Sequence, residues 1–305
     1  MATACVTLSV INFQAVWGDK DHNLQRILEY SEQACRAGSK IVLFPEMSLT
    51  GHADDPNAPA EKTMQQLLAE PVPGPSSDAV EKAAIANRLY IAFGMPVRRG
   101  GAVYNSLVVC GPQGLVGQYD KLHLAGAEPH WASQGEKLPL LFETPYGKIM
   151  CSLSYDSFCF PEMYRYACAK GASLVLNAAA CAAPEMRAAY QQMLGRHAGL
   201  NSIHIATANL TGPELAEHYF GGSHILSPAE PIEMCKVVAG CAFTEETATI
   251  PAIATAVIDL TGTMPHYPYF ERNPRVGAPD WRPALYEQMY DAVLKDADWR
   301  GMYQA

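Results

Sequence analysis

Three features of the sequence predict an α/β fold. Short apolar runs rich in β-branched residues are bounded by Gly, Pro, Asn or Ser and read as strands buried on both faces. The segments between them place apolar residues at helical spacing. The 305 residues are 49% hydrophobic and 17% charged, which supplies a sizeable core and is too apolar for a disordered chain.

Taken in order, Cys5 to Phe13 is β-rich, and Asn23 to Gly38 carries Leu24, Ile27, Leu28 and Ala34 on one helical face. Ile41-Val42-Leu43-Phe44 reads as a short buried strand that ends at Pro45-Glu46. Pro73-Gly74-Pro75 and the serines after it signal a helix over Ser76 to Leu89. Tyr90 to Met95 and Ser106 to Cys110 are strands, the second closed by Gly111-Pro112-Gln113-Gly114. Gly147 to Leu153 is a further strand, followed by Ser173 to Leu176, His204 to Asn209, His224 to Leu226 and Ile253 to Leu260. Helices are expected over Met163–Lys170 and Glu185–Asn201. Hairpin-like turns argue for mixed rather than purely parallel sheets. With no internal repeat and no long linker, residues 1–305 are expected to form one domain, with 265–305 as a C-terminal arm. Tyr267, Tyr269, Phe270, Trp281, Tyr286, Tyr290 and Trp299 make that arm aromatic, so it is expected to pack on the body or on a partner subunit.

The net charge is −9, from 22 basic and 31 acidic residues without a basic cluster, which argues against nucleic acid or an anionic membrane as partner. Nine cysteines at irregular spacing, without a signal peptide or an apolar run of membrane-spanning length, point to reduced thiols and a cytoplasmic protein. No His-Glu-x-x-His or paired-cysteine pattern occurs, so no metal is expected, and no Gly-x-Ser-x-Gly elbow is present.

The chemistry concentrates in three places. Glu46 ends a buried strand, where α/β sheets place ligands and where a carboxylate serves as a general base. Lys121, in Tyr119-Asp120-Lys121-Leu122-His123-Leu124, would put a fixed positive charge beside a developing oxyanion, and Glu128 seven residues on can orient it. Ser154 follows the strand from Gly147 and precedes Tyr155-Asp156 and the helix-like segment from Met163, a strand–elbow–helix layout that projects one side chain into a site. The backbone N–H of Tyr155 would be a second oxyanion donor.

These residues, in this order, resemble the nitrilase (carbon–nitrogen hydrolase) superfamily. "FPEMSLTG" at Phe44–Gly51, "YDKLHL" at Tyr119–Leu124 with Glu128 beyond, and the elbow with "FPEMYR" at Phe160–Arg165 carry the likeness. Asn23-Leu24, Asn105-Ser106, "GGSHILSP" at Gly221–Pro228 and "RPALY" at Arg282–Tyr286 extend it over nearly the whole chain. The resemblance implies a four-layer α-β-β-α sandwich that dimerises through helices near the site, so a homodimer or higher even-numbered homo-oligomer is expected. It implies Glu46 as general base, Lys121 as oxyanion stabiliser, Glu128 as the second glutamate and position 154 as the nucleophile, with no cofactor. The family chemistry opens a non-peptide C–N bond through a cysteine thioester and releases ammonia or an amine.

Position 154 holds serine where the family pattern has cysteine, and Cys151 and Cys159 are rival thiols. Position 154 is preferred because Gly147 sets the usual strand length before it and Tyr155-Asp156 are the family's usual followers. A serine hydroxyl is much less acidic than a thiol, so this Cys→Ser variant is expected to bind substrate with little turnover. The favoured explanation is a change made to trap bound substrate, with a naturally degraded enzyme next. Tyr155 and Asp156 are expected, with Ala179, to bind the oxyanion or substrate; Tyr155-Asp156 favours the amidase and N-carbamoyl-amino-acid hydrolase branches over true nitrilases, and the expected substrate is a small amide or carbamoyl compound. The small residues from Asn177 to Pro184, Ala179 among them, suggest a widened pocket where relatives place an aromatic. Arg187 and Arg196 are candidates to meet a substrate carboxylate. The alternatives are a naturally inactive ligand-binding or regulatory protein of this fold, and a true nitrilase.

Overall fold

The structure is a computed structural model and describes residues 5–229, 235–240, 249–260, 269, 272 and 274–296. One compact unit spans Met1–Met264 and a second spans Pro265–Ala305. In chain order the strands are β1 (Cys5–Asn12), β2 (Ile41–Leu43), β3 (Tyr90–Arg99), β4 (Ala102–Gly111), β5 (Gly114–Asp120), β6 (Leu141–Thr144) and β7 (Gly147–Leu153). They continue with β8 (Ala172–Ala179), β9 (His204–Asn209), β10 (Thr211–Glu214), β11 (Glu217–Phe220), β12 (His224–Pro228), β13 (Cys235–Gly240) and β14 (Ala252–Asp259). The helices are α1 (Lys20–Arg36), α2 (Met64–Leu68), α3 (Pro75–Asn87), α4 (Tyr155–Cys159), α5 (Pro161–Ala169), α6 (Arg187–Asn201) and α7 (Pro283–Lys295).

The strands make two six-stranded sheets, ordered β14-β1-β2-β3-β4-β5 and β13-β12-β9-β8-β7-β6. Each has three parallel strands at its centre, β1-β2-β3 in one and β9-β8-β7 in the other, with antiparallel strands outside. The sheets face each other through β1 against β9 and β4 against β7. Helices α1 and α3 lie on the first sheet, and α5 and α6 on the second. This is the α-β-β-α sandwich. Central strands are therefore covered on both sides, which is why β2 and β8 are buried throughout, β2 wholly apolar and β8 apolar but for Ser173 and Asn177.

Several boundaries shift for local reasons. α1 starts three residues before Asn23, because Asp19 caps it by accepting from the His22 N–H. Asn23 is buried, its amide bonding the Val16 backbone and the Leu49 carbonyl, so it ties α1 to the loop beyond Glu46. β3 runs on to Arg99 and pairs with β4 across Gly100-Gly101 in one long hairpin, longer than the two apolar runs suggest. In the second unit, α7 follows ring contacts of Trp281 with Tyr269 and Tyr286. The expected aromatic positions Tyr267, Phe270 and Trp299 lie outside the described residues.

Candidate active site

Glu46 leaves the end of β2 on a tight turn laid across β3. The Gly94 N–H donates to the Pro45 carbonyl at 3.1 Å, and the Leu49 N–H donates to the Gly94 carbonyl at 3.0 Å. A Cβ at Gly94 would stand 2.3 Å from the Met47 nitrogen, so only glycine lets this turn sit so close. Lys121 leaves the end of β5, with its N–H on the Asn105 carbonyl and its carbonyl on the Gly135 N–H. Both side chains are wholly or almost wholly buried.

The Lys121 ammonium lies 2.7 Å from Glu46 Oε1 and 2.5 Å from Glu128 Oε1. The Asn105 amide donates to the same two oxygens, at 2.8 and 3.1 Å. His52 Nε2 is 3.1 Å from Glu128 Oε1, and its Nδ1 is 3.2 Å from the Tyr219 hydroxyl. Glu214 in turn accepts from the His52 and Ala53 N–H groups, fixing the loop that carries His52.

One ammonium shared by two buried carboxylates drives their proton affinities apart. Burial raises the Glu46 pKa, Lys121 only partly offsets this, and the Glu128 charge adds to the rise. Burial also opposes ionisation of Glu128, but Lys121 and His52 outweigh it and hold that carboxyl well below the usual range. Burial works against the charged form of Lys121, and the two carboxylates overcome it, keeping the amine protonated. For His52 burial is again overcome, by Glu128 and Glu46, and its pKa rises. Of the two carboxylates, Glu46 is thus the easier to protonate, and Glu128 is the one held as an anion beside the ammonium. Glu46, His52 and Glu128 also present ligand atoms within 4.8 Å of one another, as a metal site would. The Lys121 ammonium bonded to both glutamates disfavours a cation there.

Ser154 stands between β7 and α4 with φ 42° and ψ −103°, a conformation that non-glycine residues rarely adopt. Two acceptors hold its N–H, the Ala178 carbonyl at 2.9 Å and Asn177 Oδ1 at 3.0 Å. Such a strained turn after a strand presents a side chain to a site. Asp156 is buried just beyond it and accepts from the Tyr119 hydroxyl and from the Leu122 and His123 N–H groups. It therefore bridges the elbow to the segment bearing Lys121.

A cavity of about 240 Å³ collects these groups, lined by Glu46, Lys121, Glu128, Ser154 and Tyr155 together with His52, Cys181 and Tyr219. The expected constellation of Glu46, Lys121, Glu128 and position 154 thus meets in one place. Two expected binding residues stand back from it. Asp156 acts behind the wall as a bridge. Ala179 is the last residue of β8, wholly buried, its carbonyl accepting the Leu210 N–H; Ala180 to Ala183 form the wall instead. The rival thiols also lie off the cavity, Cys151 buried inside β7 and Cys159 exposed at the end of α4. Arg187 and Arg196 do not line it, and the Arg187 guanidinium sits over the Phe220 ring. His52, Tyr219 and Cys181 escaped the sequence reading. A lone histidine in a loop or a lone tyrosine in a short strand carries no local signal, and Cys181 is masked by the alanines around it.

Known proteins resemble this chain in sequence and in fold. The family model for carbon-nitrogen hydrolase matches residues 3–263. The chain is 27% identical over 259 residues to a nitrilase of Pyrococcus abyssi, covering 85% of this chain and 88% of that one. It is 28% identical over 221 residues to the omega-amidase NIT2 of Danio rerio, covering 68% and 76%. The amidase from Nesterenkonia sp. superposes with a TM-score of 0.72 at 21% identity, covering 95% of this chain and 97% of that one. A Cys→Ser mutant of the Nesterenkonia AN1 amidase, from the nitrilase superfamily, gives 0.71 at 22% identity, covering 93% and 97%. With a family match across most of its length and the fold of a nitrilase-superfamily amidase, the chain belongs to the carbon–nitrogen hydrolase family.

Proposed function

We propose that this cavity binds a small amide and directs hydrolysis of its C–N bond. The observation that carries the reading is the buried ammonium of Lys121, fixed between Glu46 and Glu128 in the cavity onto which Ser154 opens. An amide carbonyl oxygen placed at that ammonium meets a preorganised positive charge, and the Tyr155 N–H supplies the second donor. Glu46 takes the proton of the attacking group and returns it to the leaving nitrogen. No lining residue among those described is an arginine, so an uncharged amide suits the cavity better than an N-carbamoyl amino acid with its carboxylate.

A carboxylate is a weak base for a serine hydroxyl, so attack by Ser154 is slow while binding is kept. Replacing a nucleophile that works within a concerted unit costs on the order of 10⁵–10⁶ in turnover. The same serine supports a second reading, a family member that retains the pocket for ligand binding alone. Ammonia release by the Ser154→Cys variant from a panel of small amides separates the two. A rise in turnover above that of the unmodified chain is the expected result; no release from either chain would leave only the binding protein.

Two further readings accompany this one. No helix among the described residues is long and apolar enough to cross a membrane, which fits a cytoplasmic enzyme. Met289, Val293 and Leu294 stand exposed on α7, an apolar face that supports docking on a second copy in a homo-oligomer.

A further inference from the structure

The geometry points to Cys181 as the acyl acceptor of this site, standing in for the thiol that position 154 lacks. The inference rests on the amide-hydrolase reading and names a different nucleophile within it. Cys181 lies two residues past β8 and is 5% exposed, in the wall of the cavity. Its Sγ is 3.8 Å from Ser154 Oγ. An acyl carbon within reach of the hydroxyl is therefore within reach of the sulfur. The Cys181 backbone is clamped on both sides, its N–H donating to Asn209 Oδ1 at 2.8 Å and its carbonyl accepting from the Phe220 N–H at 3.2 Å. Of the described cysteines, it alone lines the cavity.

A second observation completes the pair. Glu46 lines the same cavity, and Lys121 and Asn105 occupy only its Oε1. Its Oε2 is buried without a partner, an unused proton acceptor. Burial and the Glu46 charge raise the Cys181 pKa, while the Ser154 hydrogen bond and Lys121 lower it, with a net rise. The thiol is therefore protonated at rest and requires a base during attack.

The steps balance as follows. The Cys181 S–H proton moves to Glu46 Oε2 as the sulfur bonds to the amide carbon. The C–N bond then breaks, and the nitrogen leaves as ammonia or an amine, carrying the proton from Glu46. Water attacks the thioester and gives one proton to Glu46. The S–C bond breaks, the carboxylic acid departs, and the sulfur recovers its proton. Ser154 donates its O–H to the sulfur while that sulfur is anionic.

2-Iodoacetamide is itself a small amide and reports on this thiol in the folded, unmodified chain. A new S–C bond forms, iodide leaves and Glu46 takes the proton. Peptide mapping is expected to find Cys181 alkylated, protected by excess acetamide, and about 10²-fold slower to react in Glu46→Gln. Cys110, Cys151 and Cys168 serve as buried controls. Unreacted Cys181 beside alkylated Cys5 and Cys159 would overturn the assignment. Amide hydrolysis by the unmodified sequence should fall further with Cys181→Ala than with Ser154→Ala; the reverse order would also overturn it. Calorimetry with acetamide separates the two levels of the argument. Binding with Cys181 unreacted sinks the thiol alone, and absence of binding sinks the amide site with it.

Discussion

Both six-stranded sheets have three parallel strands at the centre and antiparallel strands outside, yet they bring different things to the cavity. The first sheet delivers charge. Glu46 follows β2, Lys121 follows β5 and Asn105 lies in β4, and Glu46 Oε1 accepts from both the Lys121 ammonium and the Asn105 amide. In the proposed reading the second sheet delivers the nucleophiles. Ser154 follows β7 and Cys181 follows β8, and their side chains approach each other at 3.8 Å. The difference shows a division of labour. A buried ammonium and two carboxylates must hold one another rigidly, or desolvation would neutralise them. A nucleophile must keep its lone pair free for substrate.

The strongest way to break this contrast is to remove the charge it depends on. Lys121→Ala leaves Glu46 and Glu128 facing each other in the interior and is expected to cost about 3–5 kcal/mol of stability. Urea denaturation measures the loss, and a shift within error would mean that the cluster is not the rigid half of the site. An intermediate effect concerns pH. Glu46 must be ionised to accept a proton, and its pKa lies above the ordinary 4.5. The acid limb of kcat/KM in the Ser154→Cys enzyme should therefore fall above the usual carboxylate range, with activity rising as pH rises through it. Glu128→Gln removes a like charge and should move that limb downward; a limb that stays in place would detach Glu128 from Glu46. The smallest effect belongs to the second sheet. Ala182→Trp narrows the cavity wall and should weaken binding of bulky amides while small ones are spared, as calorimetry would report. Equal affinity for both would place the acyl group elsewhere.

Glu46 was legible in the sequence because it breaks an apolar pattern at a strand end, Phe44-Pro45-Glu46, whereas Lys121 and Glu128 were legible through the family resemblance, since the strand before Lys121, β5, carries too weak an apolar pattern to be expected. Position 154 was legible from its distance past Gly147 and from the helix that follows. The α/β class followed from the buried strands, and the sandwich from the family resemblance. Other features were set by tertiary contacts that no local pattern records. His52 enters the site because Glu214, far along the chain, holds its backbone. Ala179 remains in the strand because the Leu210 N–H still pairs with it, which pushes the cavity wall one residue further on. Cys181 is reactive or inert according to what faces it, and spacing alone cannot say that Ser154 does.

The most direct measurement is the crystal structure of this chain with a bound small amide. The account predicts the carbonyl oxygen about 3 Å from the Lys121 ammonium. It also predicts the carbonyl carbon about 3–3.5 Å from the Ser154 hydroxyl or the Cys181 sulfur. An amide seated in the cavity with its carbonyl turned away from Lys121 would contradict it.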